Sequence, residues 1–351
     1  MTTSFPLLRL PYPVLKLVLE QMKFVERIVL SLLSKRARMF LKLLKMKCKY
    51  INLILDSSSI KMNVFFDNSK ELKVDILILE YPEVYFKEVY FKHEYDYIAW
   101  RPCALPPLDY FLPIMDVTHC KSIKQFIIVE LPQIGILLGK LTRLLAKLPE
   151  IDEVVAQNTY HSSPDSPLIK VLRMVLPVSS AVTVSYHALK PKDFREIFKG
   201  NFDAVTLKKF RDRVMPNHGM KFSLNDLKMT NVKSLELPGP VFTLEDLNRY
   251  FKLWMKKQCN PRLEYLQVAM RWVGSEEINI LLKGLNAVQV PIRTDRTLGN
   301  IKQFISEVED EMLISEIDIT RADEKTATIR ISNYGTVCFY VWLESTNLEQ
   351  N

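Results

Sequence analysis

Residues 227–268 read LKMTNVKSLELPGPVFTLEDLNRYFKLWMKKQCNPRLEYLQV. Val232, Leu235 and Leu237 follow the spacing apolar-x-x-apolar-x-apolar and predict a strand, and Leu263, Leu266 and Val268 repeat it 31 residues later. Between them FTLEDLNRYFKLWMKK has helical spacing, with Thr243 placed to cap the helix ahead of Glu245 and Asp246. The stretch therefore reads strand, helix, strand, which is the building block of a parallel sheet with helices on one face.

The same triplet recurs toward the amino terminus. It appears at Ile123/Phe126/Ile128, Ile151/Val154/Ala156 and Phe202/Val205/Leu207, with a degenerate copy from Ser179 through Val182 and Val184, so successive starts lie 28, 28, 23, 30 and 31 residues apart. PQIGILLGKLTRLLAKL (132–148) and SPLIKVLRMVL (166–176) supply helical patterns in the gaps. A period near 28 residues suits a leucine-rich-repeat-like stack of strand–helix units; an ordinary α/β sheet satisfies the same spacing. Helices falling between the strands favour the stack.

Flanking segments change character. YINLIL, IKMNVFFD, ELKVDILILEY and VYFKEVYF, from Tyr50 to about Phe91, alternate like an antiparallel meander, and RPCALPPLDYFLP (101–113) reads as a proline-rich connector. EIDITRAD, KTATIRISN and GTVCFYVWLE predict three antiparallel strands at the carboxyl end. The expected fold is α+β / α/β: an N-terminal helical segment, the meander, repeat-like units with a parallel sheet, and C-terminal antiparallel strands.

The helical segment is LRLPYPVLKLVLEQM (8–22) followed by ERIVLSLLSKRARMFLKLLK (26–45). Pro11 and Pro13 sit in a first turn, where the backbone donor has no intrahelical acceptor. The first 50 residues hold eleven Lys/Arg against two Glu, a net +9; with +8 for the whole chain, the other 301 residues sum to −1. A cationic field confined to one segment predicts an acidic partner there. No run of 18 uncharged apolar residues occurs, so a soluble intracellular protein, cytoplasmic and/or nuclear, is expected.

Chemistry-bearing patterns are sparse. Cys48, Cys103, Cys120, Cys259 and Cys338 are scattered, odd in number and never in a CxxC pair, which argues against a disulfide framework or a zinc module and reads as reduced thiols. GILLGKL at Gly135 is one residue short of a phosphate loop and has Leu141 where a hydroxyl is needed. His93, His119, His161, His187 and His218 stand singly, and the two Ser-Pro steps of HSSPDSP (161–167) read as a turn. No enzyme, cofactor or metal is expected.

FPLLRLPYPVLKLVLEQM followed by VLSLLSKRARMFLKLLK resembles an F-box: a Leu10-Pro11 step, an amphipathic helix, then Leu30-Ser31-x-x-Ser34-Lys35-Arg36. The DLNRYFKLW and NPRLEYL blocks of 227–268 resemble the F-box-associated domain of type 2 in the large nematode F-box family. Together the two cover about 45 residues at the start and about 70 around residues 200–270. The chain departs from that family at Lys23-Phe24, where an Asp/Ser-Pro pair is usual. The resemblance implies a substrate-recognition adaptor: the F-box binds the Skp-type linker of a cullin ubiquitin ligase, and the rest captures a target protein.

The implied domains are 5–48, F-box; 50–113, meander and connector; 119–290, repeat-like region; and 291–345, C-terminal β region. The expected linker contact is Leu10, Pro11, Leu15, Val18, Leu19, Met22, Leu30 and Leu33, with Lys35 and Arg36 steering an acidic partner. The alternatives are a non-ligase interaction scaffold, both helices packed on the chain's own strands, or a basic segment on nucleic acid or a membrane surface; neither of the last two partners is expected. For the target, strand alternation turns Ile127, Val155, Thr183, Thr206, Glu236 and Gln267 away from the strand–helix core. Thr206, Lys208, Glu236 and Gln267 are the expected target-binding residues.

Overall fold

The computed structural model describes residues 7–67, 70–79, 85–100, 107–131, 145, 147–157, 167–185, 191–208, 222–237, 242–270, 274–292 and 313–342. The predicted helix at 132–148 and the motifs GILLGKL and HSSPDSP lie, but for a few residues, outside them. The chain forms two compact units, residues 1–158 with 163–179, and residues 159–162 with 180–351.

The first unit opens with α1 (Tyr12–Gln21), α2 (Phe24–Leu33) and α3 (Lys35–Lys42). Its sheet contains β1 (Tyr50–Leu55), β2 (Ser59–Phe65), β3 (Glu71–Leu79), β4 (Tyr85–His93), β5 (Asp96–Trp100), β6 (Ile123–Ile128) and β7 (Ile151–Ala156), in the order β7-β6-β1-β2-β3-β4-β5. β1 to β4 form the expected antiparallel meander, β5 extends it beyond the expectation, and β6 and β7 join it in parallel through β1. Strict alternation buries Ile51, Leu53 and Leu55, then Ile60, Met62 and Val64, then Leu72, Val74 and Ile76.

The proline-rich connector is a correction. Pro107–Val117 is a helix, α4, despite Pro113 inside it. Tyr110, Phe111, Ile114 and Val117 are fully buried, and this burial outweighs the hydrogen bond that proline removes. α4 packs against α2 and α3, so it carries the helical segment on the sheet.

The second unit contains β8 (Ser179–Ser185), β9 (Ala204–Lys208), β10 (Ser234–Leu237), β11 (Tyr265–Ala269), β12 (Val288–Gln289), β13 (Leu313–Thr320), β14 (Thr326–Ser332) and β15 (Thr336–Val341). β8 to β11 are parallel; β15, β14, β13 and β12 continue from β11 in antiparallel pairing. The predicted triplets are buried here: Val182 and Val184, Val205 and Leu207, Leu235 and Leu237, Leu266 and Val268. The helix Leu244–Met255 lays Leu247, Tyr250, Phe251 and Trp254 on the apolar side, and the rings of Phe251 and Trp254 stand 4.9 and 5.0 Å from Phe339 of β15. Thr243 caps this helix as expected, accepting from the Asp246 amide at 3.1 Å.

The whole is a mixed α+β protein with an N-terminal helical segment and mixed sheets. Among the described residues no helix is long and apolar enough to cross a membrane.

Candidate functional site

The helical segment is built by local hydrogen bonds on its conspicuous residues. Arg27 donates to the carbonyls of Met22 at 2.9 Å and Glu20 at 3.2 Å, closing the end of α1 where backbone acceptors would lack partners. Ser31 Oγ donates to Ile28 O at 2.6 Å, and Ser34 Oγ accepts from the Ala37 amide at 3.0 Å, capping α3. Both serines of the Leu-Ser-x-x-Ser stretch are thus scaffold residues.

Lys23-Phe24 fits the same scheme. The Lys23 amide donates to Glu26 Oε2 at 2.9 Å, which gives α2 a carboxylate at its N-terminus. Lys23 Nζ meets Asp96 at 2.7 Å, and this contact raises the lysine's pKa. The Phe24 ring packs 5.1 Å from Phe66 and 4.5 Å from His93. These contacts hold the turn without a proline.

α1 is apolar on more than one side, and the structure separates the sides. Leu15 and Leu19, expected at the linker contact, are instead buried in the chain's own core at 0% and 2% exposure. Val14, Leu17 and Val18, turned away from that core, are exposed, Leu17 at 62%, as are Pro11 and Tyr12 beside the buried pair; Leu10, Met22 and Leu30 are half-buried, and Leu33 is 61% exposed. Lys35 and Arg36 are exposed at the start of α3, with the Arg36 guanidinium 5.9 Å from the Phe40 ring centroid. Residues 7–49 therefore present apolar side chains beside cationic ones, a composition suited to a partner surface rather than to water.

Residues 7–49 match the family model of the F-box domain. Residues 193–268 match a second model, described as F-box associated. No curated protein and no solved structure was found to match the chain.

Within the F-box associated match, the two blocks legible in the sequence serve the fold. Asn248 of DLNRYFKLW donates to the carbonyls of Leu281 at 2.8 Å and Lys283 at 3.0 Å. Asn260 of NPRLEYL donates to Val232 O at 2.8 Å and accepts from the Arg262 amide at 3.1 Å. Both asparagines are buried. Asn260→Ala leaves the Val232 carbonyl without this donor, and a loss of about 1–3 kcal/mol of stability is expected, measurable by denaturant unfolding.

Three of the four expected target residues fall in one row, Lys208 lying two residues further along β9 opposite Ser185. Thr183, Thr206, Glu236, Gln267, Cys338, Arg330 and Glu316 stand opposite one another from β8 through β11 to β15, β14 and β13. Cys338, Arg330 and Glu316 were not foreseen, because sequence does not show that the C-terminal strands extend this sheet. The row is not open: Thr206 is 5% and Glu236 3% exposed, which corrects their assignment to a target surface. Burial above all raises the Tyr265 phenol, with Cys338, Tyr340 and lastly Glu236 adding to it, and its hydroxyl donates to Gln267 at 2.6 Å. Across β13 and β14, Arg330 pairs with buried Glu316 at 3.3 Å. Gln267 and Lys208 retain partial exposure.

Among the described residues no group of His, Cys, Asp or Glu is arranged to hold a metal ion.

Proposed function

We propose that this protein is a substrate-recognition adaptor of a Skp-cullin-F-box ubiquitin ligase. Residues 7–49 bind the Skp-type linker and the second unit captures a target, while other subunits transfer ubiquitin. The observation that carries this is the exposed apolar side of α1 within the segment matching the F-box domain. Linker binding is assigned to Leu10, Pro11, Val18, Met22, Leu30 and Leu33, now with Tyr12, Val14 and Leu17; Leu15 and Leu19 hold the helix in place. The recurring strand triplets are read as one repeated unit, and target capture is assigned to the second unit, where Lys208 and Gln267 remain partly accessible.

Affinity purification with mass spectrometry tests the reading. The intact chain should enrich a Skp-type linker, a cullin and target proteins, whereas the Leu17→Asp/Val18→Asp variant should keep the targets and lose linker and cullin. Loss of nothing, or of the targets alone, would overturn it. Lys35→Glu with Arg36→Glu is expected to slow association with an acidic linker by about tenfold at low salt while dissociation changes little, as stopped-flow would show. A change confined to dissociation would mean that these side chains make desolvated contacts.

A further inference from the structure

Two cysteines meet where the helical segment ends and the sheet of the first unit begins. Cys48 precedes β1 and Cys120 precedes β6, and these strands are parallel neighbours paired as Asn52↔Gln125. Both cysteines lie in the irregular segments that lead into these strands, and the amide of Cys48 bonds to the carbonyl two residues before Cys120. Neighbouring strands lie about 4.8 Å apart, within the roughly 4.4–6.8 Å separation of Cα atoms that a disulfide spans. The Cys48 amide donates to Thr118 O at 3.2 Å and the Cys120 amide to Met115 O at 2.9 Å, so both backbones are fixed. The Cys120 thiol donates to Ser122 O at 3.1 Å, and Cys48 is its neighbouring thiol across the junction. Both cysteines are free and only half-buried.

We propose that Cys48 and Cys120 form a reversible disulfide driven by a hydroperoxide, fastening the end of the helical segment to the loop after α4. The Cys48 thiolate attacks one oxygen of the hydroperoxide; the S–O bond forms, the O–O bond breaks, and hydroxide or alkoxide leaves and takes up a proton. Cys120, as thiolate, then attacks the sulfenic sulfur; the S–S bond forms, the S–O bond breaks, and hydroxide departs as water with the proton that Cys120 gave up. Two thiols lose two electrons in total and the hydroperoxide gains them. A dithiol reverses the change by exchange.

The order of roles follows from the pair itself. The Cys48 thiol is drawn down to about 7, chiefly by its neighbour Cys120 and against the effect of burial, while Cys120, whose proton goes to Ser122 O, is held up as the protonated member. Cys48 therefore supplies the thiolate and Cys120 resolves. By contrast, burial pushes the Cys259 thiol up to about 11. The junction is otherwise tied by the exposed pair Lys42–Asp116 at 2.7 Å and by His119 Nε2 against Lys42 O at 3.1 Å. Exposed pairs of this kind stabilise little, so a covalent link there changes how firmly the helical segment is held.

The test treats the intact, reduced chain with hydrogen peroxide, blocks remaining thiols and maps peptides by mass. Expected is one cross-linked pair, two hydrogens lighter, joining the Cys48 and Cys120 peptides and released by dithiothreitol, while Cys259 remains alkylatable after denaturation. In Cys120→Ser, dimedone should label Cys48; in Cys48→Ser, oxidation of Cys120 should slow by about tenfold or more. If both thiols of the wild type stay alkylatable, or if Cys48 links equally to other cysteines, the proposal fails. It fails too if Cys120 reacts at the same rate without Cys48. The wild-type peptide map decides the matter even if either variant folds poorly.

Discussion

Replacing Leu17 and Val18 by aspartate lowers affinity for a Skp-type linker by about 100-fold or more and leaves the melting of the chain unchanged. Both side chains are partly exposed in the free chain, Leu17 at 62% and Val18 at 36%, so their complete burial comes only with the partner. At the lower end of the range, about 1.5 kcal/mol per side chain, the pair accounts for about 3 kcal/mol and thus about two decades of affinity. Leu15→Asp with Leu19→Asp behaves differently. Each places a carboxylate in a site with essentially no water, so the helical segment unfolds and binding is lost with it. Calorimetric titration and a thermal melt on both variants separate the two sides of the helix; normal binding by folded Leu17→Asp/Val18→Asp places the contact elsewhere.

Trp254→Ala is expected to destabilise the second unit by about 3–5 kcal/mol, the usual cost of deleting a buried aromatic side chain. The indole is fully buried, packs edge-on against Phe339 and lies 5.2 Å beneath the Arg321 guanidinium. It thus joins the helix Leu244–Met255 to β15, linking the parallel strands to the C-terminal antiparallel ones. Two compact units need not unfold together, so native-state hydrogen exchange read on peptides covering 244–255 and 336–341 is the suitable measurement. A change below about 1 kcal/mol there would mean that the cavity collapses freely and that the indole is not a keystone of this core.

Much of this architecture was legible because burial imposes periods. The apolar positions of the triplets at 123–128, 232–237 and 263–268 are all buried, and the apolar residues of β1 to β3 alternate. α4 was missed because its prolines signal a break locally, whereas its reason for being helical lies in distant partners such as the Phe91 ring, 6.3 Å from Tyr110. β5 was missed because its pattern is weak: Tyr95, just before it, and Tyr97 are exposed. The two sides of α1 could not be ranked from sequence, since a helix apolar nearly all round does not announce which side faces its own chain. The row from Thr183 to Glu316 shows a further limit. Alternation correctly placed Thr206, Glu236 and Gln267 on one side of the sheet, but pointing away from one core does not make a residue exposed.

The central claim is that residues 7–49 dock a Skp-type linker through the open side of α1. Its most direct measurement is size-exclusion chromatography with light scattering on the purified chain mixed with purified linker. A 1:1 complex that forms with the wild type and is absent with Leu17→Asp/Val18→Asp is the predicted result. Separate elution of the two wild-type proteins, or a complex that the double substitution leaves intact, would contradict it.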